Sequence, residues 1–312
     1  MNKTIRIGTR DSQLALWQAK TVQSQLENHG YKTKLVPVKS TGDLVLDTPL
    51  YEMGITGIFT KTLDVAMIKG DVDIAVHSMK DVPTMLPKGI IQTAVLERAA
   101  TDDILATKGD IDYEKPCTIA TGSLRRKAQW LHRYPHHSVV DLRGNVNTRL
   151  QKLQDNDWQG AIFAKAGLER IDVLPDTYEA LDWMIPAPAQ GAMVVVAMEN
   201  DTFSVEATQK LNDLKTDICT KIERDFLRTL EGGCTAPIGA LAEVVGNSIQ
   251  FRGCLFSLDG QTKLEAAKEI SIPNPQGLEH PVRLSAGKDA ALELLENGGA
   301  ELMASIKSEM NK

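Results

Sequence analysis

Short β-branched runs alternate with helical stripes from Thr4 to Met198, and this alternation restricts the fold more than any other feature of the sequence. Thr4 to Gly8 reads as a strand. The helix after it has the apolar stripe Ala15, Ala19, Val22 and Leu26 and stops at Gly30. Leu35 to Val38 is a second strand, Phe59, Leu63, Ala66 and Met67 mark one face of a helix ending at Gly70, and Val72, Ile74 and Val76 begin a third strand. The order resumes with a strand at Cys117 to Ala120 and a helix striped by Leu124, Ala128 and Leu131. It continues with Val139 to Leu142, a helix on Val146, Leu150 and Leu153, and Gly160 to Ala164. A helix between two strands returns the chain to the same end of the sheet, so the pattern predicts α/β architecture with a mostly parallel sheet. In such sheets ligands bind beyond the carboxyl ends of the strands, and the residues there carry the functional reading.

Those exits are unusually charged. In Asp71 to Pro83 the apolar pattern stops at His77, after which Ser78, Lys80 and Asp81 supply a hydroxyl, an ammonium and a carboxylate, and Pro83 blocks an immediate helix. Taken alone, Asp81 is as well explained as the cap of a turn. Yet Arg10 stands before the first helix, which Asp11 or Ser12 can cap, and Arg125 and Arg126 follow the turn Thr121, Gly122 and Ser123. Arg143, Gly144 and Asn145 form the next turn with Arg149 one helical turn on, and Lys165, Gly167 and Arg170 follow the strand after that. A cation in the first turn of a helix opposes the macrodipole at about 0.3–1 kcal/mol if exposed, so Arg125 and Arg126 require nearby acids or an anionic ligand. One surface arginine is ordinarily just solvated. Six of them past predicted strand ends, Arg10, Arg125, Arg126, Arg143, Arg149 and Arg170, describe a basic cleft in a chain of net charge -6. The planar guanidinium fork suits carboxylates or phosphates, so the expected ligand carries several negative charges.

The net charge of -6 weighs against nucleic-acid or anionic-membrane binding, and the basic turns lack aromatic stacking partners. No apolar run approaches membrane-spanning length, and Met1 to Gly8 runs into a strand without a signal-peptide h-region, so the expected location is cytoplasmic. The four cysteines, Cys117, Cys219, Cys234 and Cys254, are then expected reduced; their spacing fits no zinc motif, and no metal site is expected.

With 312 residues, 42% of them hydrophobic, the chain has room for two or three domains. Ser40 to Ile58, rich in Gly and Thr, reads as a lid or a disordered loop. Glu97 to Asp103 is charged and unpatterned, as a crossover would be, and Ile185 to Gly191 is a stiff Pro-Ala connector. Met193 to Met198 is a buried strand that could rejoin the first sheet, and two such crossings would make a hinge. Beyond Leu214 a helix on Ile218, Ile222, Phe226 and Leu230 ends at Glu231, Gly232, Gly233 and Cys234. Strands from Ile238, Ile249 and Leu264 follow, with turns at Gly246 and Asn247 and at Asp259 and Gly260, then a helix from Ala286 to Ile306. The expected division is residues 1–97 with 191–208, residues 98–190, and a small α+β domain of residues 209–312. Free cysteine is usually a buried structural thiol, which suits Cys117, Cys219 and Cys254. The double glycine before Cys234 suits an exposed nucleophile better.

Several strings in order closely resemble the porphobilinogen deaminase, or hydroxymethylbilane synthase, family over essentially the whole chain. They are Arg-Ile-Gly-Thr-Arg at 6 to 10, Leu-Ala-Leu-Trp-Gln at 14 to 18, and Asp-Ile-Ala-Val-His-Ser-Met-Lys-Asp-Val-Pro at 73 to 83. Thr-Gly-Ser-Leu-Arg-Arg at 121 to 126, Leu-Arg-Gly-Asn-Val-Asn-Thr-Arg at 142 to 149 and Leu-Glu-Gly-Gly-Cys at 230 to 234 complete the set. The resemblance implies two doubly wound domains like those of periplasmic solute-binding proteins plus the small third domain. It implies a monomeric enzyme of tetrapyrrole and heme biosynthesis that condenses four porphobilinogen molecules head to tail, each losing ammonia, to give hydroxymethylbilane. The growing chain would hang from a dipyrromethane cofactor held by a thioether to Cys234. Asp81 would be the catalytic carboxylate, stabilising the cationic azafulvene and the pyrrole nitrogens, with Lys80 helping to keep it ionised. Each pyrrole carries an acetate and a propionate, and the arginine cleft is the complement such a chain needs.

Ligand contacts are implied at Arg10, Ser12, Gln18, Ser78 and Lys80, at Thr121, Ser123, Arg125, Arg126, Arg143, Gly144, Asn145, Arg149 and Arg170, and at Gln190. Three positions depart from the family pattern. Gly54, Ile55, Thr56, Gly57, Ile58 and Phe59 stand where Gly-Gly-Lys-Gly-Leu-Phe is usual, Thr41 replaces a base before Gly42, and Gly122 stands where a second hydroxyl is common. The competing reading is a two-domain binding or sensor protein for small anions, without catalysis, since fold does not fix function.

Overall fold

The computed structural model describes residues 3–38, 60–230, 236–272 and 285–310. The expected lid with Thr41 and Thr56, the helix-face residue Phe59, and Cys234 with its neighbouring glycines lie outside the described residues. The described residues form two compact units: 3–38, 60–99 and 191–217 in the first, and 100–190, 218–230, 236–272 and 285–310 in the second.

The first unit opens with β1 (Thr4–Thr9), α1 (Gln13–Asn28), β2 (Lys32–Pro37), α2 (Lys61–Ile68), β3 (Ile74–Ser78) and β4 (Ile90–Val95). Helix α1 starts where Ser12 caps it, its hydroxyl oxygen accepting the Ala15 N–H at 3.4 Å, and it buries Ala15, Ala19, Val22 and Leu26 as the stripe predicts. The second unit holds β5 (Asp103–Thr107), β6 (Thr118–Ala120), α3 (Leu124–Arg133), β7 (Ser138–Val140), α4 (Val146–Asp155), β8 (Gly160–Ala164), α5 (Lys165–Glu169) and β9 (Tyr178–Ala180). The chain then supplies β10 (Met193–Met198) and α6 (Thr202–Gln209) to the first unit, followed by α7 (Leu214–Thr229).

Both large sheets are mixed. In the first, ordered β2-β1-β3-β10-β4, strands β1, β2 and β3 are parallel, and β10 runs antiparallel to β3 and β4. In the second, ordered β7-β6-β8-β5-β9, strands β6, β7 and β8 are parallel, and β5 runs antiparallel to β8 and β9. Four strands of each five-stranded sheet therefore run in one direction, as the expectation of a mostly parallel sheet has it, and the fourth in order, β10 in the first and β5 in the second, runs against them. The strand β10 does rejoin the first sheet. β4, β5 and β9 went unread because β4 and β5 are short runs that periodicity does not separate from other apolar segments, and β9 is three residues long and largely exposed, with no apolar pattern to read. Core clusters form where the sheets meet the helices: Ile5, Ile7, Ile74 and Val195 with Ala19, Val22 and Leu26 in the first unit, and Ile104, Ala120, Phe163 and Leu153 in the second.

The third sheet is the antiparallel meander β11 (Ile238–Val245), β12 (Ser248–Phe256) and β13 (Lys263–Ser271). It shares a core with α7 and with α8 (Ala286–Leu294) and α9 (Ala300–Met310), led by Ile222, Phe226, Phe251, Leu255, Ala290 and Leu294. The single helix expected from Ala286 to Ile306 is two helices, broken where Gly298 takes φ +95. The molecule is thus two α/β domains followed by a small α+β domain.

Candidate active site

Ionisable and hydroxyl side chains collect at the carboxyl ends of the parallel strands in each unit. In the first unit β3 runs into a 3-10 turn at Met79–Asp81. Met79 and Val82 are buried on either side of it, and the Val82 N–H closes on the Met79 carbonyl at 3.1 Å. Two apolar anchors so close together hold the turn against the core and leave Lys80 and Asp81 half-buried beside it. Gln18, buried on α1, donates its Nε2–H to Ser78 Oγ at 2.8 Å. Ser78 accepts there and retains its own proton for donation. Ser12 lies at the same edge, with its oxygen already used as the α1 cap.

The parallel register of β1 and β3, Ile7 with Ile74 and Gly8 with Ala75, carries Arg10 alongside His77. His77 is 6% exposed, and its Nε2 has no hydrogen-bond partner among the described residues. Burial, with a smaller contribution from the Arg10 charge, lowers its pKa to about 4. The imidazole is neutral at physiological pH.

In the second unit the turn after β6 is tightly built. Thr121 is buried, the Ser123 N–H reaches its Oγ1 at 3.3 Å, and Ser123 caps α3 by accepting from the Arg126 N–H at 3.5 Å. A Cβ on Gly122 would lie 2.6 Å from the Leu142 carbonyl oxygen. The hydroxyl common at that position in the family has no room on this backbone. After β7, Gly144 takes φ +114, where a side chain would strike Thr148, and Asn145 Oδ1 caps α4 through the Thr148 N–H at 2.9 Å. Arg149 curls back so that its Nε donates to the Gly144 carbonyl at 2.7 Å.

Arg125 and Arg126 meet the acid that their place against the helix dipole demands. It is Asp103, the first residue of β5 and completely buried. Arg125 Nη2 donates to Oδ2 at 2.7 Å, and Arg126 donates to Oδ1 from Nη2 at 2.7 Å and from Nε at 3.1 Å. Gln190 joins them, giving Nε2–H bonds to Asp103 Oδ1 at 2.9 Å and to the Thr101 carbonyl at 2.7 Å. Sequence reasoning missed Asp103, which closed a stretch read as an unpatterned crossover; the signal was the pair of first-turn arginines in need of an acid.

Arg143 and Arg170 are held differently. Burial draws Arg143 below the usual guanidinium range against the pull of Asp141, and draws Arg170 down to about 10 against the pull of Glu169. In each of these groups burial outweighs the opposing pull of the neighbouring acid. Guanidinium groups and hydroxyls at strand ends are donors of the kind that suit carboxylates.

Residues 5–206 match the family model described as porphobilinogen deaminase, dipyromethane cofactor binding domain, and residues 218–296 match that of the porphobilinogen deaminase C-terminal domain. The chain belongs to the porphobilinogen deaminase family. It is 36% identical over 316 residues to the porphobilinogen deaminase of Chloroherpeton thalassium, covering 99% of this chain and 99% of that one. To that of Campylobacter hominis it is 39% identical over 311 residues, covering 97% and 98%, and to that of Chlorobium phaeobacteroides 38% over 317 residues, covering 98% and 99%. Among solved structures, the periplasmic VFT2 domain of Bordetella pertussis BvgS spans 67% of this chain and 86% of its own at 11% identity and a TM-score of 0.42, too loose a likeness to carry an argument. Family membership brings the activity: porphobilinogen units are condensed with loss of ammonia to hydroxymethylbilane, in tetrapyrrole and heme biosynthesis, on a dipyrromethane cofactor. A binding or sensor protein without catalysis is the less supported reading.

Proposed function

We propose that the two groups of residues divide the reaction between them, Asp81 acting on the reacting centre and the basic turns after β6, β7 and β8 holding carboxylates. The observation that carries this reading is the bracing of Asp81: its turn is fixed by buried Met79 and Val82 at the end of β3, beside a Ser78 oriented by Gln18. A carboxylate on so rigid a support keeps its position while positive charge develops at the departing ammonia, which is where preorganised electrostatics lower a barrier. Ser78 offers a proton, and Lys80 and Arg10 offer positive charge to the substrate's acetate and propionate. Arg143, Arg149 and Arg170, with Ser123 and Thr121, bind carboxylates of the cofactor and of the lengthening chain. Cys234 is the attachment point. When bound, the dipyrromethane supplies the nucleophilic pyrrole carbon from which the chain grows. The proposal extends to a cytoplasmic monomer, to be checked by light scattering and cell fractionation.

Asp81→Asn keeps size and most hydrogen bonding but removes the charge, so kcat is expected to fall about 10²–10³-fold with the melting temperature nearly unchanged. Intact mass should exceed the sequence mass by the cofactor, with the added mass on the Cys234 peptide and absent from Cys234→Ala. Near-normal turnover in cofactor-loaded Asp81→Asn moves the catalytic charge elsewhere, and an active protein of unmodified mass removes Cys234 from its role.

A further inference from the structure

Both oxygens of one buried carboxylate are occupied by two neighbouring arginines of α3 and by the glutamine that ends the connector. Asp103 is 0% exposed, Arg125 is 4% and Arg126 is 6%. Beyond their bonds to Asp103, Arg125 Nη1 is fastened to the Ile185 carbonyl at 2.7 Å and Arg126 Nη1 to the Ile162 carbonyl at 3.0 Å. Gln129, one turn along α3, holds Ile185 at both backbone groups, donating to its carbonyl at 2.9 Å and accepting its N–H at 2.8 Å. The cluster therefore joins the first residue of β5, the first turn of α3 and both ends of the connector. Arg125 Nε is buried and meets no hydrogen-bond partner among the described residues, so within them the cluster is not closed upon itself.

A buried ion cluster of this kind seldom stabilises a fold more than well-packed apolar side chains of the same volume, so stability does not account for it. Charge and direction do. Two guanidinium groups side by side repel, and one carboxylate between them leaves the trio with a single net positive charge. We propose that Asp103 is a positioning residue of this reaction, aligning Arg125 and Arg126 and limiting the pair to one ligand carboxylate. The inference rests on the reading that the basic turns bind carboxylates of substrate and cofactor, and it assigns to Asp103 and Gln190 the support of that binding rather than a contact with the ligand.

The test is steady-state kinetics of cofactor-loaded enzyme with porphobilinogen, with thermal melts on each variant. Asp103→Glu keeps the charge and displaces the carboxylate; KM is expected to rise about tenfold while kcat per loaded enzyme changes less than threefold, since orientation of a binding group is what is lost. Asp103→Asn leaves two uncompensated cations, and the salt dependence of its KM should steepen relative to the parent. Combining Asp103→Asn with Arg125→Met restores one net charge and should return the salt dependence toward the parent value, a recovery that a purely structural acid does not produce. Unchanged KM in Asp103→Glu with a lowered melting temperature makes the cluster an element of stability alone and overturns the inference. Unchanged KM and cofactor loading in Arg126→Leu instead overturns the underlying reading of the basic turns.

Discussion

His77 shows how burial decides the chemistry of one side chain. Its ordinary pKa of 6.5 falls to about 4 because the imidazolium would lose hydration inside the sheet and would face Arg10. The unfolded chain takes up this proton near pH 6.5 while the folded chain does not, so the group's contribution is complete above that pH and is lost as the pH falls toward about 4. The loss amounts to ~3 kcal/mol across the window. Melts of the parent and of His77→Gln should therefore converge between pH 6.5 and 4, the parent losing stability the faster; parallel curves would mean that His77 titrates alike in both states. The same burial makes Cys254 inert, its thiol pushed up to about 12, and Cys117 and Cys219 are buried as well, in keeping with structural thiols.

Two strand-to-helix turns of the second unit are set by contacts with no slack. Gly122 lies against the Leu142 carbonyl so closely that a Cβ would sit 2.6 Å away, joining the turn after β6 to the turn after β7. Gly122→Ser is expected to cost about 1–3 kcal/mol as an overpacked site and to reduce cofactor loading, since Thr121, Ser123, Arg143 and Gly144 shift together. Denaturant titration and intact mass on one preparation check both effects; full loading at parent stability would show that the turns tolerate separation. Asn145 caps α4 through the Thr148 N–H, and Asn145→Ala should cost about 1 kcal/mol. A larger fall in substrate affinity than in stability would mark Asn145 as more than a cap.

At the scale of the molecule, Glu223 of α7 ties separate parts of the second unit. It is completely buried, and its carboxylate accepts the Ala189 N–H at 2.6 Å and the Ala242 N–H at 2.8 Å. One side chain thereby links the connector, the third sheet and the helix that leads toward Cys234. Ala189 has φ +63, a conformation that alanine holds only under such restraint. In Glu223→Gln the amide NH₂ must face one of those N–H donors, leaving a buried donor unmet at about 1–3 kcal/mol. Thermal melting should show that loss in one cooperative transition. An unchanged midpoint would show that the connector is held by its other bonds, from Gln129 and Gln190.

Local pattern was enough to determine the alternation of strands and helices, the stripe of α1, the return of β10, and the exits where Ser78, Asp81, Arg125 and Arg143 stand. These depend on periodicity and turn chemistry, which act over a few residues. The acid that meets Arg125 and Arg126 was not legible, because Asp103 lies 22 residues from the nearer one and only pairing of β5 with β8 brings it beneath α3. Nor was the antiparallel course of β5 and β10, since a buried strand reads the same in either direction. The fit of Gly122 against Leu142 was equally hidden: the sequence shows a missing hydroxyl, whereas the close approach of two backbones explains why none can stand there. Sequence determined which side chains leave the strands; tertiary contact decided which of those charges are already met inside the protein, because an ion pair depends on where two distant segments cross.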